Sequence, residues 1–232
     1  MKTIGIIGGM SYESSMHYYE RINKQINEKL GDLNCAKLLI YNVNFQDIRK
    51  RMLAGKWEEI GIILKEIAKT LENAGADAIV IATNTIHKVA DIIESSINVP
   101  LIHIADAVSL KCHEKDATNV LLLGTKYTMQ EDFIINRLKK NGINAIVPKE
   151  RDDIDLIDKV IFDELCKGEI IEESKKAYIN IINRMIGEEH IEGVILGCTE
   201  IEMLIKDGDV NVPLFDTTQA HIDTIVDYAL KK

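Results

Sequence analysis

The chain has 232 residues, a formal net charge of −9 and 46% hydrophobic residues. This length allows one or two domains, and the apolar fraction is sufficient for a substantial core. No cluster of Lys and Arg forms a basic stripe, which argues against a nucleic-acid partner. No apolar run approaches the roughly 18–20 residues that span a bilayer. We therefore expect a globular protein that binds neither nucleic acid nor membranes.

Short apolar segments alternate with longer amphipathic segments along the whole chain. The predicted strands, in order, are Thr3–Ile7, Ala36–Val43, Ala78–Ala82, Leu101–Ile104, Val120–Leu123, Ala145–Val147, Gly193–Leu196 and Leu214–Phe215. The predicted helices are Ser14–Leu30, Trp57–Asn73, Lys88–Ser95, Met129–Asn141, Ile154–Leu165, Glu172–Ile186 and Thr218–Leu230. Apolar residues recur in these helices every three or four positions. This alternation predicts an α/β protein with parallel sheets covered by helices on both faces.

The segment around Thr83 recurs, loosely, around Cys198. Ala76–Ile86 aligns with Ile191–Ile201, which places Thr83 opposite Cys198 at an offset of 115 residues. A repeat of this length is too long for a solenoid unit. It predicts two similar Rossmann-like half-domains related by a pseudo-two-fold axis, with an active site in the cleft between them.

The predicted boundaries of the half-domains follow from this repeat. The first half-domain comprises residues 1–97 together with 209–232, and the second comprises residues 98–208. In this assignment the last strand and the last helix return to the first half-domain. No low-complexity linker separates the two halves, which indicates that they pack together.

Four polar or glycine-containing segments follow predicted strands, at the carboxyl ends where open α/β sheets bind ligands. They are Gly8–Ser11, Thr83–Thr85, Gly124–Thr128 and Cys198–Glu200. The first segment does not match a dinucleotide fingerprint, because the glycine spacing differs from G-x-G-x-x-G. It is either a tight strand-to-helix turn or a site where N–H groups at a helix N-terminus hold a carboxylate.

Cys198 is the strongest catalytic candidate, because it follows an apolar strand and occupies the repeat position of Thr83. A helix starting at Cys198 would lower the pKa of the thiol, since free N–H groups and the helix dipole favour the thiolate. The alternative is an inert, buried cysteine. The Thr83 hydroxyl is a much weaker acid, suited to donating a proton more than to removing one, and Thr83 is also a candidate cap for a helix near Asn84.

The remaining candidates are polar residues near these segments. Glu200 is expected to orient the thiol or bind a substrate ammonium. His87 is expected on a helix surface or behind the site, and His103 and His221 are expected to be structural. An anionic substrate would need local positive charge in this acidic chain, for which the candidates are Arg49, Arg51 and Lys167.

Metal and disulfide chemistry find no support in the sequence. The four cysteines, Cys35, Cys112, Cys166 and Cys198, show neither C-x-x-C spacing nor paired histidines. The absence of these patterns argues for a reducing compartment, and the N-terminus enters a strand-like segment without a signal-peptide pattern. We predict a cytoplasmic protein with no metal and no cofactor.

Three motifs resemble those of the aspartate/glutamate racemases, and most closely the aspartate racemase subfamily with its broad-specificity members. Gly8–Ser14 resembles the GGMSWEST-type segment, Thr83–His87 the (C/T)NTMH segment, and Leu196–Ile201 the GCTE(I/L) segment. The motifs occur in the family order, and the similarity extends from the first strand to the last helix.

The resemblance implies cofactor-independent racemisation of an acidic amino acid by two groups, one on each side of the substrate. Cys198 matches the second family cysteine, and Thr83 occupies the place of the first. The matching substrate-binding positions are Met10, Ser11, Asn84, Thr85, Thr199 and Glu200, while Arg49 and Lys167 match the cations that hold a side-chain carboxylate. The resemblance also implies a homodimer.

The replacement of one cysteine by Thr83 leaves two other functions open. Relatives with a single catalytic cysteine include arylmalonate decarboxylases and maleate isomerases, whose chemistry needs one thiol. A non-catalytic amino-acid-binding protein that kept the site is the third possibility. The glycine-containing segment and the Thr83–His87 segment favour the amino-acid racemases.

Overall fold

The computed structural model describes residues 1–231. Its strands are β1 (Thr3–Gly8), β2 (Lys37–Asn42), β3 (Ala78–Ile81), β4 (Leu101–Ile102), β5 (Asn119–Leu123), β6 (Asn144–Ile146), β7 (Gly193–Leu196) and β8 (Leu214–Asp216). Its α-helices are α1 (Tyr12–Leu30), α2 (Phe45–Leu53), α3 (Trp57–Asn73), α4 (Ala90–Glu94), α5 (Ile104–His113), α6 (Lys126–Gln130), α7 (Asp132–Lys140), α8 (Arg151–Asp163), α9 (Glu172–Glu189), α10 (Ile201–Leu204) and α11 (Thr217–Leu230). Short 3₁₀ helices occupy Thr85–Val89 and Leu165–Lys167. Within residues 1–231, no helix is both long enough and apolar enough to cross a membrane.

The strands form two four-stranded sheets with the same order. One sheet runs β2-β1-β3-β4 and the other β6-β5-β7-β8, and every pair of neighbours is parallel. The predicted α/β class and all eight predicted strands are confirmed. The identical order also gives the sequence repeat a structural basis, because Thr83 and Cys198 follow the third strand of their respective sheets.

The chain divides into two compact units whose boundaries differ from the prediction. The first unit comprises Met1–Ile104 with His221–Lys232, and the second comprises Ala105–Ala220. The prediction assigned β4 to the second half-domain and β8 to the first. Both assignments are wrong, because β4 pairs with β3 and β8 pairs with β7. Only the later part of α11 returns to the first unit.

Each unit has its own apolar core. In the first unit, Ile7 and Ile79 pack with Leu64 of α3 on one face of the sheet. On the opposite face, Ile6 packs with Tyr18 of α1 and Ile222 of α11. Because both faces are covered, the central strands are almost wholly apolar, as buried parallel strands require. In the second unit, one continuous cluster joins β5 and β7 to α8 and α9.

The repeat is also present at the amino ends of the sheets. In the first unit, Asp77 accepts a hydrogen bond from the Thr3 N–H at 2.6 Å, at the start of β1. In the second unit, Glu192 accepts from the N–H groups of Thr118 and Asn119 at 2.7 and 2.9 Å, at the start of β5. The two backbone donors lower the pKa of Glu192. Equivalent positions in the sequence repeat thus hold equivalent strand-capping carboxylates.

The helices differ from the prediction mainly at four elements. Helices α2, α5, α6 and α10 were not predicted as separate helices, and α2 lies in a segment where charged residues obscure the apolar period. Helix α9 continues through Gly187 to Glu189, and His190 adopts the left-handed conformation at φ 53°. Gly31 and Gly142 follow the ends of α1 and α7 with positive φ.

A pair of glycine substitutions tests the packing of the second sheet. A Cβ at Gly193 would lie 2.4 Å from Cε2 of Phe215 on β8, whereas a Cβ at Gly187 meets no heavy atom within 4 Å. We expect Gly193→Ala to destabilise the protein by about 1–3 kcal/mol, because a closely packed ring must move. Gly187→Ala should stabilise it by about 0.5–1 kcal/mol, because alanine loses less entropy in a helix. Urea midpoints at constant m-value measure both, and a neutral Gly193→Ala would contradict the packing described.

Candidate active site

The first unit brings two of the predicted segments together. Strands β1 and β3 are neighbours, so the loops that follow them lie side by side. Ser14, in the first turn of α1, donates its hydroxyl to the carbonyl of Ala82 at 2.8 Å and ties the two loops to each other. The Gly8–Ser11 and Thr83–Thr85 segments therefore form one polar cluster at the carboxyl edge of the first sheet.

The glycine loop is a tight turn held by serines. Gly9 has φ +87°, and a Cβ there would lie 2.3 Å from the carbonyl oxygen of Val43. The Gly9 N–H donates to the Ser15 hydroxyl at 2.7 Å, and Ser11 caps α1 by accepting from the Ser14 N–H at 3.2 Å. Two of the N–H groups that were expected to hold a carboxylate are thus used within the protein.

Met10 and Ser11 differ in how they can meet a ligand. The Met10 side chain is buried in the apolar core and is only 3% exposed. Met10 was predicted to contact the substrate, and it can therefore do so through its backbone but not through its side chain. Ser11 is partly exposed and its hydroxyl is already a helix cap.

Thr83 lies between β3 and the 3₁₀ helix Thr85–Val89. Thr83 is partly exposed, while Asn84 is buried. The expected capping role of Thr83 is wrong, because Asn84 occupies the N-cap position and no side chain caps this helix. The Thr83 side chain is therefore not needed for that structural purpose.

His87 is buried, not on a helix surface. The Ile104 N–H donates to its Nε2 at 3.3 Å, so the ring proton is on Nδ1, which donates to the Thr83 carbonyl at 2.8 Å. His87 thus holds the backbone of Thr83 in place. Thr83 and His87 are four residues apart in the chain. They can form this hydrogen bond because the turn between them is helical.

Two more buried histidines stand behind His87. The ring of His103 lies 4.5 Å from that of His87, centroid to centroid, and the ring of His221 lies 6.0 Å away. His221 donates from Nε2 to the Ile102 carbonyl at 2.7 Å, so its Nδ1 accepts the Tyr18 hydroxyl at 2.8 Å. These contacts support the expected structural roles of His103 and His221 and connect the Thr83 loop to α1 and α11.

A cavity of about 540 Å³ lies beside β2 in the first unit. Asn42, Asn44, Asp47 and Arg51 are its polar lining residues. Arg51 donates to the Asp47 carbonyl at 2.9 Å, and its Nε lies 3.4 Å from a carboxylate oxygen of Glu59 without the alignment of a hydrogen bond. The predicted cation Arg49 lies exposed on α2 and does not line this cavity, whereas Arg51 does.

The second unit has a corresponding polar cluster. The Gly197 N–H donates to the Leu123 carbonyl at 2.6 Å, and a Cβ on Gly124 would lie 3.1 Å from the Gly197 carbonyl oxygen. Thr217 donates to the Leu196 carbonyl at 2.9 Å from the other side. The Gly124–Thr128 and Cys198–Glu200 segments therefore meet at the carboxyl edge of the second sheet.

Cys198 forms a thiol–carboxylate pair with Glu200. The Cys198 thiol donates to Oε2 of Glu200 at 2.9 Å, and the Thr199 hydroxyl donates to the same oxygen at 2.5 Å. All three residues are partly exposed. The carboxylate is thus within proton-transfer distance of the thiol and is held by a second donor.

The expectation of a lowered thiol pKa is wrong. Burial raises the pKa of Cys198 well above its ordinary value of 9.0, and the negative charge of Glu200 raises it further. Helix α10 begins only at Ile201 and has four residues, so it offers little dipole to the thiol. The free protein therefore holds Cys198 as a thiol with a base beside it, not as a standing thiolate.

Several residues around the thiol were not singled out from the sequence. Tyr178 is fully buried and donates to the Ile157 carbonyl at 2.9 Å, and its pKa is raised by burial and by the charges of Cys198 and Glu164. Glu164 keeps one carboxylate oxygen buried without a hydrogen-bond partner. Both lie in helical segments of ordinary composition, so no local pattern distinguishes them. The predicted cation Lys167 lies exposed in the neighbouring 3₁₀ helix.

A second acidic pair lies at the end of β8. Asp216 is the register partner of Leu196, and its carboxylate accepts from the Thr218 N–H at 2.8 Å. Burial and a hydrogen bond with Glu202 of α10 raise the pKa of Asp216 from 3.8 to about 7. Near neutral pH the two carboxyl groups therefore share a proton. Among residues 1–231, no group of three or more His, Cys, Asp or Glu side chains is placed to bind a metal.

Two parallel sheets of the same strand order, each with polar segments at its carboxyl edge, define a two-unit α/β protein. Residues 7–225 match the model of the Asp/Glu/hydantoin racemases. The chain belongs to that family, and membership supports amino-acid racemase activity.

Individual relatives extend over the whole chain. A protein from Yersinia pestis, crystallised as a candidate Asp/Glu racemase, is 42% identical with a TM-score of 0.95, and 100% of each chain is covered. An aspartate racemase homologue from Pyrococcus horikoshii is 38% identical with a TM-score of 0.89, again over 100% of both chains. The broad-specificity amino-acid racemase RacX of Bacillus subtilis is 21% identical over 93% of this chain and 92% of its own length.

The charge of Glu200 should control the reactivity of the Cys198 thiol. Glu200→Gln removes the charge that raises the pKa of Cys198, so we expect faster alkylation of Cys198 by iodoacetamide at neutral pH. Each unit of pKa lowering should give a roughly tenfold rise in rate. The rate is measured by mass spectrometry of the peptide that contains Cys198. Glu173→Gln, in the exposed first turn of α9, is the matched control, and slower alkylation in Glu200→Gln would contradict this account.

The stability of the protein should depend on pH through Asp216. The pKa of Asp216 is higher in the folded than in the unfolded protein, so the contribution of Asp216 to the free energy of unfolding is full below about pH 4. That contribution is lost as the pH rises towards 7. The slope is at most about 1.4 kcal/mol per pH unit. Asp216→Asn, which mimics the protonated group, should remove this decline in urea unfolding between pH 5 and 7. Asp207→Asn, on an exposed turn, should keep it, and an unchanged slope in Asp216→Asn would refute the assignment.

Proposed function

We propose that this protein interconverts the L- and D-forms of an acidic amino acid, aspartate or glutamate or both, without a cofactor. The observation that carries the proposal is the Cys198 thiol at hydrogen-bond distance from Glu200, at the end of β7. Similarity to an aspartate racemase homologue at 38% identity supports an acidic substrate. The name of RacX supports a substrate range that includes other amino acids.

The proposed reaction begins with proton transfer from the Cys198 thiol to Glu200. The resulting thiolate removes the α-proton of the substrate and leaves a planar carbanion. The Thr83 hydroxyl then returns a proton to the opposite face, Glu200 releases its proton to solvent, and solvent restores the Thr83 proton. Family membership and the sequence repeat, which gives Thr83 and Cys198 equivalent positions, support this pair of groups.

The other polar residues are proposed to hold the substrate. The α-carboxylate is assigned to Ser11 and the Thr83–Thr85 segment, since donors preorganised around the carboxylate stabilise the carbanion. Thr199 is assigned to the same side of the substrate as Cys198. Arg49 and Lys167 are proposed to meet the side-chain carboxylate, and both are exposed and accessible to a ligand.

The difference between Thr83 and Cys198 has a kinetic consequence. A thiolate removes a proton far more readily than a hydroxyl, whose pKa is much higher. The reaction should therefore be faster from the enantiomer whose α-proton faces Cys198. The equilibrium between enantiomers remains unity, because a catalyst cannot shift it.

Proton NMR in heavy water tests the proposal with L- and D-aspartate and L- and D-glutamate. We expect the wild type to exchange the α-proton and to racemise at least one pair, with unequal rates from the two enantiomers. Cys198→Ala should abolish both processes. Thr83→Ala should keep exchange from the Cys198 side but lose racemisation, since a deuteron then returns only to the original face.

Two controls make this experiment decisive. Thr70→Ala changes an exposed hydroxyl on α3 and should retain the wild-type rates. Thr83→Cys should bring the rates from the two enantiomers closer together. Exchange with none of the four amino acids would refute the racemase proposal and favour single-cysteine decarboxylase or isomerase chemistry, or a binding protein.

The homodimer and the cytoplasmic location remain predictions. The mass of the protein in solution, measured by light scattering, would test the oligomeric state.

A further inference from the structure

Helix α1 carries three large apolar side chains on its exposed surface. Tyr12, Met16 and Tyr19 are 62%, 63% and 56% exposed. Their spacing of four and then three residues places them on one side of the helix, and Asn23 continues the same side. We call Tyr12, Met16 and Tyr19 the α1 stripe. Contiguous apolar surface of this kind marks an interaction site more often than scattered single residues do.

The α1 stripe lies alongside strand β2. The Ala36 N–H, just before β2, donates to Oδ1 of Asn23 at 2.9 Å. Nearer the other end of the strand, a Cβ on Gly8 would lie 2.7 Å from Ser15 Oγ and 3.7 Å from Ile40 Cγ2. Ser15 of α1 is therefore close to Ile40, and Asn23 is close to Ala36. Helix α1 and β2 thus run side by side in opposite directions, with the stripe on the side of α1 next to the strand.

Strand β2 is the end strand of its sheet and has an unprotected edge. The Val43 N–H donates to the Gly8 carbonyl at 3.0 Å, so odd-numbered residues of β2 bond to β1 and even-numbered residues direct their N–H and C=O groups outwards. Residues 38–46 contain no charged residue and no proline, the usual protection of an edge strand. Ile40 and Tyr41 are exposed on this strand. Such an edge is suited to pairing with another strand.

We propose that α1 and β2 form the interface of a symmetric dimer, in which the β2 strands of two copies pair antiparallel and join the two sheets into one. A two-fold axis that passes by Leu39 places Leu38 opposite the partner's Ile40. Both are even-numbered, so their outward N–H and C=O groups can bond to each other. Both side chains also lie on the same face of the joined sheet, as pairing between strands requires.

The charges on α1 indicate that the partner is a second copy of this chain. Glu13 and Lys24 are exposed beside the two ends of the α1 stripe, about three turns apart on one side of the helix. Because α1 runs alongside β2, the axis that pairs the strands also brings the two α1 helices together antiparallel. Glu13 then lies near the partner's Lys24, while Met16 and Tyr19 meet their copies between these charges. The surface is thus complementary to itself, which is what a two-fold interface needs.

Light scattering over a range of protein concentrations tests the α1 stripe. We expect the wild type to have twice the mass of a single chain. Met16→Glu should raise the dimer dissociation constant on the order of tenfold or more, because it buries a charge in the apolar centre of the interface. Leu110→Glu, at an exposed apolar position of α5, is the matched control and should keep the wild-type constant. Circular dichroism spectra show that both variants are folded.

Charge reversal tests the antiparallel alignment of the helices. Glu13→Lys and Lys24→Glu should each weaken the dimer by roughly three- to tenfold, because like charges then face each other across the axis. The double variant Glu13→Lys/Lys24→Glu should recover the wild-type dissociation constant. These exposed substitutions leave the apolar core of the unit untouched.

Amide hydrogen exchange tests the strand pairing. The outward N–H groups of Leu38 and Ile40 should exchange more slowly as the protein concentration rises, and this dependence should disappear in Met16→Glu. The proposal is overturned by a wild type that is monomeric at its highest soluble concentration, or by a Met16→Glu dimer as tight as the wild type. It is equally overturned if the double charge reversal does not recover the dimer, or if these two amides exchange at the same rate at every concentration.

Discussion

The adjacency of two parallel strands in each sheet determines where the polar loops lie. Strands β1 and β3 are neighbours in the first unit, as β5 and β7 are in the second, so the loops after each pair meet at one edge. The strands are apolar and buried, and their packing fixes the position of this edge. The side chains that differ between the units, Thr83 and Cys198, occupy equivalent places on equivalent scaffolds.

The same scaffold gives the two places different chemistry through their local hydrogen bonds. Behind Thr83, the buried His87 donates to the backbone carbonyl and does not engage the Thr83 hydroxyl in this contact. Beside Cys198, Glu200 accepts the thiol proton and Thr199 steadies the carboxylate. The free protein thus has a thiol of raised pKa that donates a hydrogen bond to a carboxylate.

Sequence patterns predict the strands and the motif loops because both depend on local apolar runs and on glycine spacing. The order of strands in the sheets is not local, which is why β4 and β8 were assigned to the wrong half-domains. The pKa of Cys198 was predicted in the wrong direction for a related reason. The sequence suggests a helix dipole at Cys198, but the structure has a four-residue helix and a carboxylate at the sulfur. Tyr178 comes from α9, which is distant in sequence from β7, so no local pattern in the chain reveals its interaction with Cys198.

The most direct test of this account is the ionisation of Cys198 in the free protein. The ultraviolet absorbance of the thiolate, taken as the difference between wild type and Cys198→Ala, can be followed as a function of pH. The account predicts no thiolate signal from Cys198 until the pH exceeds its ordinary pKa of 9.0. A thiolate that titrates near or below neutral pH would contradict it, because burial and the charge of Glu200 would then not raise the pKa of Cys198.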